Sequence, residues 1–558
     1  MRGKSLVRIA FLSSIVVMLF ALPSMAATTK VVLDGHSLTI DEVLSVSKGE
    51  VEVAISPEAM KQVEAGFAVV MEAALQGKPV YGLTTGVGWN KDKSVFEERD
   101  GKKVLSEELL ARSREFNILS LRAHGGGVGP DLPADVVRAA MLIRLNTFLT
   151  GIPGVQPAVV NQYRDFLNKK ITPVVPSRGS VGEADITIAS HIGLAMIGEW
   201  QVDYRGKRMA AADALKEAGL SPIKPVGKDF LSMLSTNAVA AGQAVLAVEE
   251  AKNYANKAIV VFGLTLEGLN GNIAPFLKAT TEIRPFPGML KASKMIRDTL
   301  EGSYLWQPAE GRPLQDPLSF RTMGYALGNV LDAIEEAEKA LIIQINSSDD
   351  NPAVIAGVTE VERPDSEYIT NYLVKGEQKG AIYPTANFDM LPVVARIEQL
   401  SHSLARMSQN IVMQTIRFEN PNITGLSRFL ASEENTLGHA FGAIQKPLGE
   451  LYAENRQLAM PVSMDGFALA GNIEDTFANS LLAIRNLEKI TDNMYYISSI
   501  QMLHTAQAVD LRGKVQLAKK TKALYDAYRK VVPFVSFDRI YTADFTKGYE
   551  FLKSYTVK

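Results

Sequence analysis

Apolar side chains recur at intervals of three and four residues in the C-terminal part of the chain. After Glu474, the apolar positions are Phe477, Leu481, Ile484, Leu487, Ile490, Met494 and Ile497. This spacing is typical of one face of an α-helix. Two earlier stretches, 238–271 and 325–345, contain no proline and are similarly uninterrupted. Helical patterns of this length without caps predict a bundle of long helices.

The N-terminal third has a different pattern, because turn-forming residues interrupt it repeatedly. Glycine or proline occurs at Gly35, Gly49, Pro57, 77–79, 125–127, Pro130, Pro133 and 151–153. Such punctuation predicts short helices joined by tight loops. We therefore divide the chain into an N-terminal region, residues 27–237, and a long-helix bundle with C-terminal helices, residues 238–558. No internal repeat is evident.

The first 26 residues have the pattern of a cleaved signal peptide. Arg2, Lys4 and Arg8 precede the apolar run 9–22, and the small-x-small segment 24–26 follows it. The alternative is a single membrane anchor, but the run is shorter than the roughly 20 apolar residues that a span requires. No later stretch has the pattern of a span. We expect a periplasmic or secreted protein without a stable membrane anchor.

Composition excludes several classes of function. A chain of 558 residues with 47% hydrophobic residues can bury a large core. A net charge of -2 provides no basic surface for nucleic acid. The absence of cysteine excludes disulfides and thiolate chemistry. The six histidines lie far apart, so no metal site is predicted, although a site built from carboxylates stays open.

The stretch 178–200 carries a resemblance together with a departure from it. Gly-Ser-Val-Gly at 179–182, His191 and Gly-Glu at 198–199 resemble the signature of the histidine/phenylalanine (aromatic amino acid) ammonia-lyase family. In that family an Ala-Ser-Gly triplet follows the turn and cyclises into MIO, a methylidene-imidazolone that captures the substrate amine. Here the residues at 183–185 are Glu-Ala-Asp. We therefore expect no MIO group and no other cofactor.

Further motifs occur in the family's order between about residues 38 and 514. They lie at 81–88, 315–321, 346–352, 386–389 and 472–475. The resemblance implies an all-α fold, an ammonia-lyase/fumarase-like long-helix bundle with a smaller N-terminal helical active-site region. It also implies a homotetramer whose active sites draw on more than one chain.

Two motif residues have catalytic roles in the family. Tyr81 matches the Tyr that removes a Cβ proton, a role that needs a cationic or hydrogen-bonding neighbour to favour the phenolate. The alternative is a Tyr that only packs beside a glycine turn. Arg321 matches the Arg that grips the substrate carboxylate through two parallel hydrogen bonds. Leu318 departs from the aromatic hydroxyl that the family places nearby.

Four further residues are expected to bind substrate. His124 resembles the His that contacts the substrate ring, although a His before a glycine run is often only a loop residue. Asn387 and Phe388 match residues of the site wall. The family's Leu-Asn-Gly-Thr segment corresponds to 234–237, where the Asn is either displaced to Asn237 or lost.

The roles of three charged residues in the expected active site stay open. Glu474 resembles a Glu that faces the imidazole in histidine lyases, but an acidic residue also suits the first turn of the predicted helix. Lys446 occurs in a stretch that should line the cavity. A buried Lys is costly unless paired, so it is either solvated or functional. Glu183 stands where the electrophile would be.

A scaffold without MIO suits a substrate whose amine needs no activation. A quaternary ammonium has no lone pair to capture and leaves as a neutral amine. The resemblance therefore favours the ergothionase-like branch, which eliminates trimethylamine from ergothioneine, a thiolated histidine betaine. Two alternatives stay open: an ammonia-lyase acting on an aromatic amino acid such as histidine, and a non-catalytic periplasmic binding protein.

Overall fold

The computed structural model describes residues 30–78, 80 and 107–557, with residues 107–109 described by their backbone alone. The α-helices are α1 (Ile40–Ser47), α2 (Pro57–Leu75), α3 (Glu107–His124), α4 (Ala134–Phe148), α5 (Pro157–Lys169), α6 (Ile186–Met196), α7 (Ala211–Glu217), α8 (Asp229–Leu234), α9 (Ala238–Leu269), α10 (Lys278–Thr281), α11 (Pro287–Thr299), α12 (Leu318–Arg321), α13 (Met323–Ile345), α14 (Glu367–Thr370), α15 (Leu391–Arg417), α16 (Pro421–Thr424), α17 (Lys446–Leu458), α18 (Ser480–Arg512), α19 (Lys519–Arg529) and α20 (Tyr541–Ser554). The strands are β1 (Lys30–Leu33), β2 (Glu52–Ile55), β3 (Val128–Asp131), β4 (Thr172–Pro173), β5 (Pro176–Arg178), β6 (Gln201–Tyr204), β7 (Lys207–Ala210), β8 (Ala353–Ala356), β9 (Leu373–Val374) and β10 (Gly380–Tyr383).

Four long helices form the core of the molecule, which confirms the predicted bundle. Helix α18 packs against α9 and α15, and α13 packs against α15, α9 and α11. The two proline-free stretches correspond to α9 and α13. All seven apolar positions predicted to share one helical face are buried. The fold is therefore mostly helical. Apolar periodicity predicted α18 and the proline-free stretches predicted α9 and α13, whereas α15 was not predicted.

Helix α18 begins later than its pattern indicates. Its first residue is Ser480, so Glu474 lies in the preceding loop rather than in the first helical turn. The first-turn interpretation of Glu474 is therefore wrong. Asn479, directly before the helix, adopts a left-handed backbone conformation (φ 51°), which marks where the loop ends.

The N-terminal region contains more regular structure than short helices alone. β1 pairs with β2 in parallel, β3 pairs with β5, and β4, β6 and β7 form an antiparallel sheet. A fourth strand group, β8-β10-β9, belongs to the later part of the chain. Helix α2 is not short, since it has 19 residues. Pro57 does not break it, because this proline stands at the helix start, where its missing N–H interrupts no helical hydrogen bond.

One helical stretch among the described residues is long and apolar enough to cross a membrane. It covers Asp229–Leu269, and 94% of its most apolar window is buried inside the protein. The expectation that no stretch after the N-terminal segment has the length and composition of a membrane span is therefore wrong. Burial explains the composition, since a helix surrounded by other helices is hydrophobic on every face.

Candidate functional site

The loop between β5 and α6 is held against the start of α18. A Cβ at Gly182 would lie 2.9 Å from the backbone nitrogen of Ser480, and Gly182 has φ +95°. Only glycine suits this combination of close approach and left-handed conformation. The backbone N–H of Asn479 also donates to the carbonyl of Val181 at 2.7 Å. The turn predicted from the Gly-Ser-Val-Gly motif thus fixes the position of the residues after it.

Asp185 anchors the other end of this loop to α9. Its side chain is completely buried and accepts hydrogen bonds from the Ser180 hydroxyl and the Ala240 N–H, both at 2.8 Å. Its own N–H donates to the carbonyl of Thr236 at 2.7 Å. Burial raises the pKa of Asp185 to about 7, against the effect of these hydrogen bonds. Between the two anchors, Ala184 has φ +111°, a strained conformation for a residue with a Cβ.

Glu183 is half-buried and lies among other acidic residues. Burial is the main cause that raises the pKa of Glu183, to about 7, and the charges of Glu474, Asp475 and Asp389 raise it further. We call these four residues the carboxylate cluster. Three separate segments contribute to it, which are the loop before α6, the loop before α15 and the loop before α18. Within the described residues, no three acidic or histidine side chains are arranged to hold a metal ion.

Asn237 and Phe388 connect the cluster to the protein core. The Asn237 amide donates from Nδ2 to the carbonyl of Phe388 at 2.5 Å. Asn237 is fully buried, and its Oδ1 has no hydrogen-bond partner within the described structure. Asn387, next to Phe388, is exposed. The structure therefore brings Asn237 to Phe388 and the charge of Asp389 to Glu183.

A buried ion network lies behind Asn237. Arg144 contacts Asp349 at 3.1 Å and Asp350 at 2.5 Å, and Lys228 contacts Asp350 at 2.5 Å. Asp349 also accepts the backbone N–H of Asn237 at 2.7 Å. Sequence analysis identified the segment 346–352 only as a motif and did not identify Arg144 or Lys228. Their sequence positions, in an apolar helix and a loop, carry no signal of this role.

Arg321 and Lys446 lie at the other end of the bundle. Two residues before Arg321, the carbonyl of Ser319 accepts a hydrogen bond from Asn410 Nδ2 at 3.0 Å. Asp389 lies directly before α15, whose rise of about 1.5 Å per residue separates Leu391 from Asn410 by about 28 Å. Lys446 begins α17 and is exposed. One chain therefore does not bring Arg321 close to the carboxylate cluster, although the motifs occur in one order.

Lys446 is also held at this distant end. The preceding residue, Gln445, donates from its side chain to Glu419, which follows the C-terminal end of α15. Of the two interpretations of Lys446, the exposed position in the single chain agrees with a solvated amine. The Nε of Arg321 is buried and lacks a hydrogen-bond partner among the described residues. Burial raises the pKa of Asp316, and the hydrogen bond from the Asn272 N–H and the charges of Arg312 and Arg321 only partly oppose this effect.

His124 ends α3 near the loop before α6. Its Nδ1 lies 2.7 Å from the carbonyl of Ser120, so this nitrogen carries the proton. The following glycines pack on the loop, because a Cβ at Gly179 would lie 3.2 Å from the Cα of Gly127. The His is half-buried. This placement is compatible with the predicted contact to a substrate ring.

Tyr81, the predicted base, lies outside the described residues 30–78, 80 and 107–557. Its role stays a prediction.

Comparison with known proteins identifies the family. The model of the aromatic amino acid lyase family matches residues 38–530. The chain belongs to the aromatic amino acid lyase family. A histidine ammonia-lyase from Bacillus cereus is 31% identical over 530 residues, 95% of this chain and 98% of the relative. The protein is accordingly a carbon–nitrogen lyase.

Solved structures of this lyase family agree with the fold. An ergothionase from Treponema denticola is 37% identical, covers 94% of this chain and 99% of its own, and has a TM-score of 0.85. A tyrosine aminomutase from Streptomyces globisporus is 27% identical, covers 94% of this chain and 97% of its own, and has a TM-score of 0.82. The long-helix bundle is therefore the bundle of this family of lyases and aminomutases.

Proposed function

We propose that this lyase eliminates trimethylamine from ergothioneine or a similar histidine betaine, without MIO, and releases an imidazolyl acrylate. The observation that carries the proposal is the environment of Glu183. The charged groups that act on it are the carboxylates of Glu474, Asp475 and Asp389. The solved relative from Treponema denticola, described as an ergothioneine-degrading enzyme, provides independent support.

Electrostatics favours a permanently cationic ligand at the carboxylate cluster. Three neighbouring carboxylates repel a negative charge on Glu183, and its half-buried carboxylate is poorly solvated. A cation placed among them relieves both penalties. A trimethylammonium group has no N–H to lose, so it keeps its charge at every pH and always leaves as a neutral amine. A primary ammonium would pair with the same carboxylates, but it can lose a proton to a base, and the resulting neutral amine is a poor leaving group.

The elimination balances without an added reactant. In our proposal Tyr81 takes the Cβ proton, and the electron pair of that bond forms the Cα–Cβ double bond. The Cα–N bond breaks at the same time, and its electron pair stays on nitrogen, which leaves as neutral trimethylamine. Arg321 holds the substrate carboxylate. Lys446 or Glu474 binds the ring and helps it accept negative charge in the transition state.

The residues present do not fit the family's electrophile. MIO forms from Ala-Ser-Gly, whereas the anchored loop contains Glu183, Ala184 and Asp185. The Asp185 N–H donates to Thr236, and both of its carboxylate oxygens accept hydrogen bonds. We therefore propose that the mature protein lacks MIO. An intact-mass measurement should equal the mass encoded by the mature sequence, and a loss of water at this segment would contradict the proposal.

The separation within one chain supports a shared active site. The carboxylate cluster and Asn237 lie at the N-terminal end of α15, about 28 Å along the helix from Asn410, which contacts the segment of Arg321. Lys446 follows Gln445, which contacts Glu419 beyond the C-terminal end of α15. We propose a homotetramer in which one chain supplies the cluster and another supplies the two cations. Light scattering at micromolar concentration should give the tetramer mass, and an active monomer would refute this arrangement.

We also propose export through the N-terminal segment, on the charge and apolar pattern of residues 1–26. Fractionation of expressing cells should recover a shortened chain outside the cytoplasm. A full-length cytoplasmic chain would contradict export.

The decisive experiment measures trimethylamine and ammonia side by side. The purified protein is incubated with ergothioneine and, separately, with histidine. We expect trimethylamine and a UV-absorbing acrylate from ergothioneine, and no ammonia from histidine. Ammonia from histidine would favour the ammonia-lyase alternative, which the identity to the Bacillus cereus relative supports. Ligand binding without either product would favour a binding protein. Either result would refute the proposed reaction.

A further inference from the structure

A buried histidine and glutamate form a pair beneath the segment that carries Lys446. His504, on α18, is fully buried, and Glu419 is almost so. His504 Nδ1 lies 2.9 Å from the carbonyl of Ile500, and its Nε2 lies 3.1 Å from Glu419 Oε1. The ring of Phe441 covers the imidazole, with 4.7 Å between the ring centroids. Water is therefore kept away from the pair.

The hydrogen bonds determine how many protons the pair holds. A carbonyl only accepts, so His504 Nδ1 must carry a proton for Ile500. The contact between Nε2 and Glu419 needs one more proton, on either the imidazole or the carboxyl. The pair has no net charge in both cases. A neutral, fully hydrogen-bonded pair is stable in a dry environment, whereas an unpaired carboxylate there is costly.

The second oxygen of Glu419 extends this pair to the predicted site. Glu419 Oε2 accepts a hydrogen bond from Gln445 Nε2. Gln445 precedes α17, and its carbonyl accepts the N–H groups of Leu448 at 3.1 Å and Gly449 at 3.3 Å. Lys446 is therefore attached to a residue that is fixed at its side chain and at its backbone.

A parallel connection from the same face of α18 leads to Arg321. Gln501, one turn before His504, donates from Nε2 to Gln414 Oε1 at 3.0 Å. Gln414 Nε2 donates to the carbonyl of Ser319 at 2.8 Å, two residues before Arg321. Helix α18 thus reaches the segment of Arg321 through Gln414 of α15. It reaches the segment of Lys446 through Glu419, just after α15, and Gln445. This repetition indicates that the polar face of α18 positions the two cations.

We propose that Glu419 and His504 are positioning residues that fix Lys446 for contact with the substrate ring. The proposal rests on the proposed function, in which Lys446 acts on the ring. Neither residue touches the substrate. Loss of the pair should therefore act only through Lys446, and it should impair the chemical step more than binding.

The first test compares variants of Glu419 with a matched control. Glu419→Ala removes both hydrogen bonds. Glu419→Gln retains them, because its amide donates to His504 Nε2 and its carbonyl accepts from Gln445. Thr505→Val is the control, since it removes the buried 3.1 Å hydrogen bond to Thr265 one residue from His504. We expect hydrogen–deuterium exchange in the segment 441–451 to be about 10-fold faster in Glu419→Ala alone.

The second test is a double-mutant cycle on trimethylamine release. Glu419→Ala should lower kcat about 10-fold with little change in KM, and Glu419→Gln should restore it. In a Lys446→Met background, Glu419→Ala should have no further effect, because a residue that acts through Lys446 gives a non-additive cycle. An additive cycle, or failure of the Gln variant to rescue, would overturn the proposal.

The two proposals fail in distinguishable ways. If the unmodified protein releases no trimethylamine from ergothioneine, the proposed function fails. Hydrogen–deuterium exchange then still decides whether the pair of His504 and Glu419 holds the segment 441–451 in place. Unchanged exchange in Glu419→Ala overturns the positioning role whatever the substrate. Equal acceleration in Thr505→Val also overturns it, because the effect would then be a general loosening of α18.

Discussion

Binding of a permanent cation at the carboxylate cluster should release a proton from Glu183. The pKa of this carboxyl is about 7 in the empty site, raised by burial and by the charges of Glu474, Asp475 and Asp389. Glu183 is therefore about half protonated at pH 7. A quaternary ammonium opposite the carboxylate favours the ionised form and brings the pKa back towards its ordinary value of 4.5. We expect release of about half a proton per site at pH 7.

The magnitude follows from the same shift. A change from 4.5 to about 7 corresponds to about 3 kcal/mol, at about 1.4 kcal/mol per pH unit. Glu183 is only half-buried, so screening by water reduces this coupling to about 1 to 2 kcal/mol. The affinity for the cation must increase with pH, because the cation binds the ionised carboxylate. With this coupling of about 1 to 2 kcal/mol, affinity should rise about 3- to 8-fold between pH 6 and pH 8.

Calorimetry with glycine betaine provides the assay, because this trimethylammonium compound has no Cβ hydrogen and cannot react. Titrations in two buffers of different ionisation enthalpy count the released protons, and glycine serves as the primary ammonium for comparison. Glu183→Gln should abolish the proton release and the pH dependence, and it should weaken binding at pH 8 by about 1 to 2 kcal/mol. Glu217→Gln, on the exposed face of α7, is the control.

The pH dependence of folding stability provides an independent check of the direction of this pKa shift. The folded-state pKa of Glu183 lies above that of an unfolded glutamate, so its ionisation lowers stability as the pH rises from 4.5 to about 7. The Gln variant of the empty protein should be more stable than the parent at pH 8 and equal to it at pH 4. A pH-independent affinity in the parent protein, or the same proton release in Glu183→Gln, would refute the reasoning.

Three further predictions concern the base, the loop and the buried network. Tyr81→Phe should abolish turnover and leave ligand binding largely intact, and a variant with the parent kcat would exclude Tyr81 as the base. Ala184→Gly should stabilise the protein against urea by about 1 kcal/mol, because glycine tolerates the φ of +111°; a loss of stability would show that the loop is not strained. Asp350→Asn should destabilise by about 3 to 5 kcal/mol, because it leaves the buried charges of Arg144 and Lys228 without their shared carboxylate; a shift below about 1 kcal/mol would contradict this.

Much of the fold could be predicted from local pattern. Proline-free stretches and the apolar spacing of α18 located three of the four long helices, α9, α13 and α18, because a buried helix must present apolar residues at its own period. Helix α15 was missed. The N-terminal strands were missed, because each has only two to four residues and leaves no alternating pattern of useful length. The late start of α18 was also missed, because Phe477 fits the periodicity although it lies in the loop before the helix.

The sequence by itself determined the residue types of the candidate site and their order along the chain. The exchange of Ala-Ser-Gly for Glu183, Ala184 and Asp185 is visible without a structure. Only the tertiary structure decided which residues meet, because spatial proximity depends on where long helices begin and end. It joined Glu183 to Asp389 across some 200 residues of chain, and it placed Arg321 at the opposite end of α15.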